Sequence, residues 1–373
     1  MLPYQMCTVC VMDTSNPHIT FDPKGQCNCC VEAMARRPHE WWPDSGGRRR
    51  LDELMAQLRK DGTHKPYDAM IGLSGGVDSA YLAHFIKCEY GLRLLAVHVD
   101  GGWNTEAAVR NIEVLVRRLD LDLYTYVVEW EEMRALQLAF LRASVLNQDI
   151  PQDHAFFSTL YRTAAKFEVQ TFLSGVNYAS ESVVPANWGY PAMDGRHLKG
   201  VYQRFGNIPL RTFPIMDLGE YLWLTRVRKQ LRVIKPLNYL PYDKEKSKQE
   251  LARVYAWKDY GGKHHESRFT RFYQEIYLPR KFGFDKRRLH LSSLIVSGQL
   301  TRDAAVEELK TPLAEPLQVA RDLRYVAKKL GITEAELDTL LASPVVPHES
   351  YPNQKAAHAG LTKIRNWLRL ART

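Results

Sequence analysis

The chain has 373 residues, 45% hydrophobic and 25% charged, the make-up of an ordinary globular protein with room for two domains and a sizeable core. It holds no apolar run long enough to span a membrane, and Cys7 and Cys10 stand where the apolar part of a secretory leader would lie, so a cytoplasmic protein is expected. The net charge of +9 comes with basic clusters at 48–50, 226–232, 280–288 and 363–372; nucleic acid, an anionic small substrate such as ATP or a nucleotide-sugar, and plain solvated helix faces all fit it.

Residues 1–50 read as a zinc ribbon followed by a linker rich in Pro, Gly and Arg. Cys7-x-x-Cys10 and Cys27-x-Cys29-Cys30 form two knuckles at a separation that wraps one tetrahedral zinc. Asp22-Pro23-Lys24-Gly25 supplies the turn before the second knuckle. Regular spacing selects Cys30 as the fourth ligand, with Cys29 the alternative. Four thiolates leave no open position, so this zinc is assigned to folding, and a redox pair is disfavoured in a cytosolic protein. Cys88 is expected in the core.

From residue 51 strand and helix patterns alternate. A helix is expected over 51–60, then strands at 69–73, 94–99, 123–128 and 171–174, with helices over 79–90, 105–119, 131–146 and 156–167 between them. This order predicts an α/β fold, a parallel sheet with helices on both faces, over residues 51–235. Ligands on such sheets sit at the carboxyl ends of the strands.

Ser74-Gly75-Gly76-Val77-Asp78-Ser79 joins the first strand to its helix. Two glycines let the backbone curl and present successive N–H groups to an anion, and the helix aims its positive end at the same point. Ser74 and Ser79 add hydroxyl donors, and Asp78 can hold Mg2+ beside the phosphates. No lysine follows the glycines, which separates this loop from the commoner phosphate loop. The hexapeptide in this setting resembles the PP-loop ATP pyrophosphatases, which cleave ATP between the α and β phosphates and adenylate a carbonyl oxygen.

Asp100-Gly101-Gly102-Trp103-Asn104 ends the second strand. Backbone at Val99 suits an adenine ring, and Asp100 suits either ribose or metal, or a plain cap for the next helix. After the fourth strand, Gly175 and Asn177 form the turn that in PP-loop enzymes precedes a second magnesium acid; that resemblance makes Glu181 the candidate. The stretch 183–205, with Asn187-Trp188 and Lys199, reads as a loop covering substrate or as an ordered surface loop.

Residues 236–373 look mostly helical, with helices over 244–255, 301–309 and 317–330, and Thr333-x-x-Glu336 opens a last helix as a capping box. Its densest polar cluster is Trp257-Lys258-Asp259-Tyr260-Gly261-Gly262-Lys263-His264-His265-Glu266-Ser267-Arg268-Phe269-Thr270. His265 and Glu266 suit proton transfer; Lys263 and Arg268 suit a carboxylate or diphosphate.

Four segments together resemble the N-acetyl sugar amidotransferases of bacterial surface-polysaccharide biosynthesis. They are the cysteine knuckles with Val11-Met12-Asp13-Thr14, the loop 74–79, the stretch 260–270, and Lys281-Phe282-Gly283-Phe284-Asp285 with the residues through Arg302. The resemblance implies an enzyme using ATP, Mg2+ and a structural Zn2+ to convert an acetamido group on a UDP-linked sugar to an acetamidine. For that reaction the candidate catalytic residues are Asp78, Lys263, His265 and Glu266, and the candidate substrate-binding residues are Lys199, Lys263, His264 and Arg268. Ammonia would come from a partner glutaminase resembling the histidine-biosynthesis enzyme, because this chain shows no glutaminase signature. Two other readings remain: a PP-loop tRNA thiolase, disfavoured because only Cys29 and Cys88 are spare, and a non-catalytic zinc-ribbon nucleic-acid-binding protein. A homo-oligomer is left open, and no membrane partner is expected.

Overall fold

The computed structural model describes residues 3–185, 188–227, 231–262 and 265–356. Of the residues singled out above, Asn187, Lys263, His264 and the basic stretch 363–372 lie outside the described residues.

Five parallel strands form one sheet in the order β3-β2-β1-β4-β5. They are β1 (Ala69–Gly72), β2 (Leu94–Asp100), β3 (Asp122–Val127), β4 (Thr171–Leu173) and β5 (Arg232–Ile234). The chain steps outward from β1 to β3, then returns to lay β4 on the other side of β1. That reversal opens a crevice at the carboxyl ends of β1 and β4, where ligands of open α/β sheets bind.

Successive residues of β1 point to opposite faces, and both faces are covered, as a parallel sheet requires. Ala69 and Ile71 pack with Leu51 and Met55 of the helix Ser45–Asp61 and with Ala83 of the helix Val77–Tyr90. Met70, with Leu95 and Val97 of β2, packs on Leu160 and Ala164 of the helix Ile150–Lys166. The strands expected at 69–73, 94–99, 123–128 and 171–174 are all present; β5 was not expected.

Two helices stand where loops were expected. Asn28–Glu40 follows the second knuckle, with Cys27 as its N-cap. Gly195–Phe205 occupies the end of the stretch read as a covering loop. Its Leu198 and Val201 are buried with Leu136 and Phe140 of the helix Trp130–Ala143. The preceding Trp188 is also packed down, stacked on Phe284 at 4.3 Å. Trp188 and the helix Gly195–Phe205 are thus packed against the rest of the protein.

The ribbon does not stand apart. Arg288 pairs with Asp13 at 2.9 Å and donates to Val11 O at 2.7 Å, and Arg302 Nε donates to the carbonyls of Cys7 and Cys10. One buried cluster joins the ribbon cysteines, the sheet, and the C-terminal helices Pro316–Leu330 and Glu334–Ala342. No described helix is long and apolar enough to cross a membrane.

Candidate active site

The loop 74–79 has the geometry of an anion cradle. Gly75 has φ +83°, and a Cβ there would lie 2.7 Å from Ala108 O, so only glycine fits. Gly76 N donates to Ser74 Oγ at 3.2 Å, and Ser79 Oγ, 3.3 Å from Ser74 Oγ, donates to Gly76 O. Val77 then begins the helix. Gly175, at the end of β4, packs against this loop: its Cβ would come within 3.1 Å of Ser79 N.

Asp78 is held from two sides. Tyr242 OH donates to Asp78 Oδ1 at 2.5 Å, and Asn177 Nδ2 lies 3.4 Å from the same oxygen. Tyr242 is buried; burial and then the Asp78 charge hold its hydroxyl far above its ordinary pKa, so it stays a donor. Asn177 also caps the short helix Tyr178–Glu181, which brings Glu181 to the same crevice. Asp78 and Glu181, two of the four carboxylates that line this lobe, fit Mg2+, which uses one or two acids plus phosphate oxygens.

The polar cluster of the second half reaches this loop through the end of β2. Thr105 N donates to Glu266 O and Arg268 N to Trp103 O, at 2.9 Å each, around a bridge between Asn104 and Ser267. Trp103, buried and hydrogen-bonded to Gln137, anchors that end. Glu266 is thereby set over the phosphate loop: a Cβ on Gly76 would lie 3.2 Å from Glu266 Oε1 and 3.2 Å from the Tyr260 hydroxyl.

The crevice has two lobes that share Ser74, Asp153, Phe156 and Glu266. One, of about 360 Å3, holds Asp78, Ser79, Gly175, Glu181, Lys244 and Tyr260, with Phe157 and Phe172 as apolar wall. The other, of about 280 Å3, runs past Val99 and Gly101 to Asp149, Gln152, Ser267, Thr270 and Lys286. Asp153 meets the water of the crevice yet is ringed by protein. That confinement, together with the Asp149 charge and against the pull of Lys286, pushes its pKa up to about 7.

The expected site residues divide. Ser74, Gly76, Val77, Asp78, Ser79, Val99, Gly175, Glu181 and Glu266 line the crevice. Asp100 instead closes its own turn, accepting from Gly102 N and Asn104 Nδ2, while Thr105 caps the next helix. His265 accepts from Gly262 N at Nδ1 and donates from Nε2 to Glu275 at 3.1 Å, so both ring nitrogens are engaged, one of them by the diglycine loop. The Arg268 guanidinium lies 4.3 Å over the Tyr325 ring. Lys199 is exposed on Gly195–Phe205 and lines neither lobe. Tyr242, Asp153 and Lys244 had not been anticipated, and Tyr260 only as a member of the cluster 257–270, without a role. Only Asp149-x-x-x-Asp153, two acids one helical turn apart, gave a local sign.

The cysteine cluster fits zinc. Cys7, Cys10, Cys27 and Cys30 are buried with their sulfurs within 4.8 Å of one another, the one such metal-capable group among the described residues. Cys7–Cys30 and Cys10–Cys27 separations are 3.9 and 3.7 Å, against about 3.8 Å for a tetrahedron of about 2.3 Å Zn–S bonds. Backbone N–H groups of Val9, Cys10 and Cys27 point at Cys7 Sγ. Cys29 turns to Asn28 instead, leaving Cys30 as the fourth ligand. Cys88 is exposed, not core, with its sulfur 3.4 Å from His84 Nδ1.

No curated protein matches the chain. Among solved structures, the NH3-dependent NAD synthetase from Campylobacter jejuni subsp. jejuni NCTC 11168 is 16% identical, over 56% of this chain and 87% of that one, with a TM-score of 0.29. The NMN synthetase from Francisella tularensis is 16% identical, over 59% and 90%, with a TM-score of 0.29. The U34-tRNA thiolase NcsA from Methanococcus maripaludis is 14% identical, over 80% and 90%, with a TM-score of 0.32. Residues 266–365 match the family model of the LPS biosynthesis protein WbpG-like, C-terminal domain. Over this part, beginning at the glutamate set above the loop 74–79, the chain is similar to the WbpG-like proteins of lipopolysaccharide biosynthesis, consistent with the surface-polysaccharide family that its motifs resemble.

Proposed function

We propose that this protein is a cytoplasmic ATP-dependent amidotransferase. It would adenylate the N-acetyl oxygen of a UDP-linked acetamido sugar and replace that oxygen with ammonia, giving an acetamidino sugar for the O-antigen of lipopolysaccharide. The observation that carries the reading is the placement of Glu266, the first residue of the WbpG-like segment, over the loop that would grip the ATP phosphates.

An amide oxygen is a poor leaving group. Its attack on the α-phosphorus of ATP forms a P–O bond, releases pyrophosphate and leaves an O-adenylyl imidate. Ammonia then adds to the imidate carbon, and AMP departs with the former acetyl oxygen. The N–H groups of loop 74–79 and the hydroxyls of Ser74 and Ser79 would hold the departing pyrophosphate. Asp78 and Glu181 would hold magnesium, which supplies charge neutralisation on the phosphates. Lys244 in the same lobe adds positive charge beside the acids. Glu266, which borders both lobes, would take a proton from the attacking nitrogen. The larger lobe suits the triphosphate and the smaller one the acceptor, where Gln152, Thr270 and Lys286 present polar groups. A glutaminase subunit would deliver ammonia.

The assay combines the protein, ATP, magnesium, ammonium chloride and a UDP-linked diacetamido uronic acid. AMP, pyrophosphate and a product lighter by the difference between O and NH are expected. AMP formation that depends on tRNA and not on the sugar would overturn the reading. Cys29 and Cys88, the thiols outside the four-cysteine cluster, line neither lobe, which weighs against sulfur transfer.

A further inference from the structure

We propose that the zinc ribbon is a brace for the carboxylates of the nucleotide site, with Tyr178 as its positioning residue. The inference rests on the reading that Asp78 and Glu181 hold magnesium with ATP.

The ribbon reaches those acids by two routes. On the first, Cys27 caps the helix Asn28–Glu40 and Cys30 lies in its first turn, so the metal would fix the start of that helix. Its Ala33 carbonyl accepts from Tyr178 OH at 2.6 Å, and Arg36 Nη2 donates to Ser182 O at 2.5 Å. These two bonds bracket the short helix Tyr178–Glu181. The Tyr178 ring also stacks on Trp41, 5.5 Å away, at the end of the same ribbon helix. Asn238 completes the clamp: its side chain accepts from Tyr178 N and its carbonyl accepts from Trp42 N. The clamped helix carries Glu181 and is capped by Asn177, which lies against Asp78.

The second route passes through the helix Arg287–Val296 and the turn after it. Ser292 Oγ accepts from Val11 N of the ribbon. One residue on, Ser293 Oγ accepts from Val183 N, and Ser297 Oγ donates to Ala179 O. Arg302 holds the Cys7 and Cys10 carbonyls, while Gln299 Nε2 donates to the carbonyl of Tyr242, whose hydroxyl grips Asp78. Both acids are thus tied to the ribbon through side chains that, apart from the exposed Arg36, are buried or half-buried. A four-residue helix has no rigidity of its own, so its position is set by what clamps it.

A ribbon that merely adds global stability would change all ligand affinities alike, or none. A brace on the magnesium acids changes only the magnesium-dependent part. The test measures affinity for MgATP and for metal-free ATP by calorimetry, with zinc content and melting temperature recorded alongside. Tyr178→Phe leaves every cysteine in place and removes one hydrogen bond. It should keep its zinc, melt close to the parent, bind MgATP about 5-fold more weakly, and bind metal-free ATP as before. Protein stripped of zinc by a chelator should show a larger loss in the same direction. Equal losses for both nucleotide forms, or unchanged MgATP affinity in Tyr178→Phe, overturn the proposal. If the parent protein itself binds MgATP no better than ATP, the magnesium reading fails and the brace falls with it.

Discussion

Glu266 and His265 are neighbours in sequence with opposite fates. The glutamate borders both lobes of the crevice, while the histidine is spent on Gly262 and Glu275. Composition alone picked out the cluster but not which member faces the crevice, because that depends on the bridge to Asn104. Glu266→Gln should lower amidine formation on the order of 100-fold, with MgATP affinity little changed, as steady-state kinetics and calorimetry would report. Tyr242 was illegible for a related reason: it lies 164 positions from Asp78, and nothing local marks it. Tyr242→Phe should weaken MgATP binding about 10-fold by removing a hydrogen bond to a charged group. Asp153 has a folded pKa of about 7, above the ordinary value of about 3.9. A raised pKa contributes stability that is present below about pH 4 and is lost as pH rises through 7. Asp153→Asn should therefore gain melting temperature over the parent at pH 8 and not at pH 4, as paired thermal melts would show.

Among the elements, the helices with clear apolar periodicity were legible. Lys244–Tyr255 falls on the expected residues, and the Thr333/Glu336 capping box is present. Gly195–Phe205 was not legible, because its buried face includes His197 and two glycines as well as Leu198 and Val201. Asn28–Glu40 hides behind its cysteines and Pro38, and β5 is three residues long at a sheet edge beside a basic run. The phosphate loop, by contrast, was readable because its glycines answer a local steric demand. Gly75→Ala would place a side chain at positive φ and against Ala108 O, at a cost of about 2 kcal/mol in unfolding free energy, measurable by urea denaturation.

At the scale of the whole molecule, part of one basic stretch is tied to partners within the protein. In the stretch 280–288, Lys281 Nζ donates to the carbonyls of Leu340 and Ser343 at a helix end, Arg287 pairs with Asp285, and Arg288 pairs with the buried Asp13. Charge counting along the sequence cannot separate such internal partners from a nucleic-acid surface. Arg288→Ala should cost about 3 kcal/mol by leaving Asp13 without its partner, read as a lower urea midpoint. Burial also pushes the His154 pKa down to about 4; burial, then the neighbouring His197, push that of His348 down to about 3. Stability from these neutral imidazoles is present above about pH 6.5 and is lost as pH falls toward 4 and 3.

The docking of the ribbon onto residues 288–302 sets a timetable. Val11 meets Ser292, and Cys7 meets Arg302, across 281 and 295 positions. The ribbon therefore leaves the ribosome before its resting place is made, on the order of half a minute earlier. Its four thiols lie within 24 residues of one another, close enough to close around a metal without help from the rest of the chain. A newborn ribbon could thus hold its ion before the surface that will complete its burial exists.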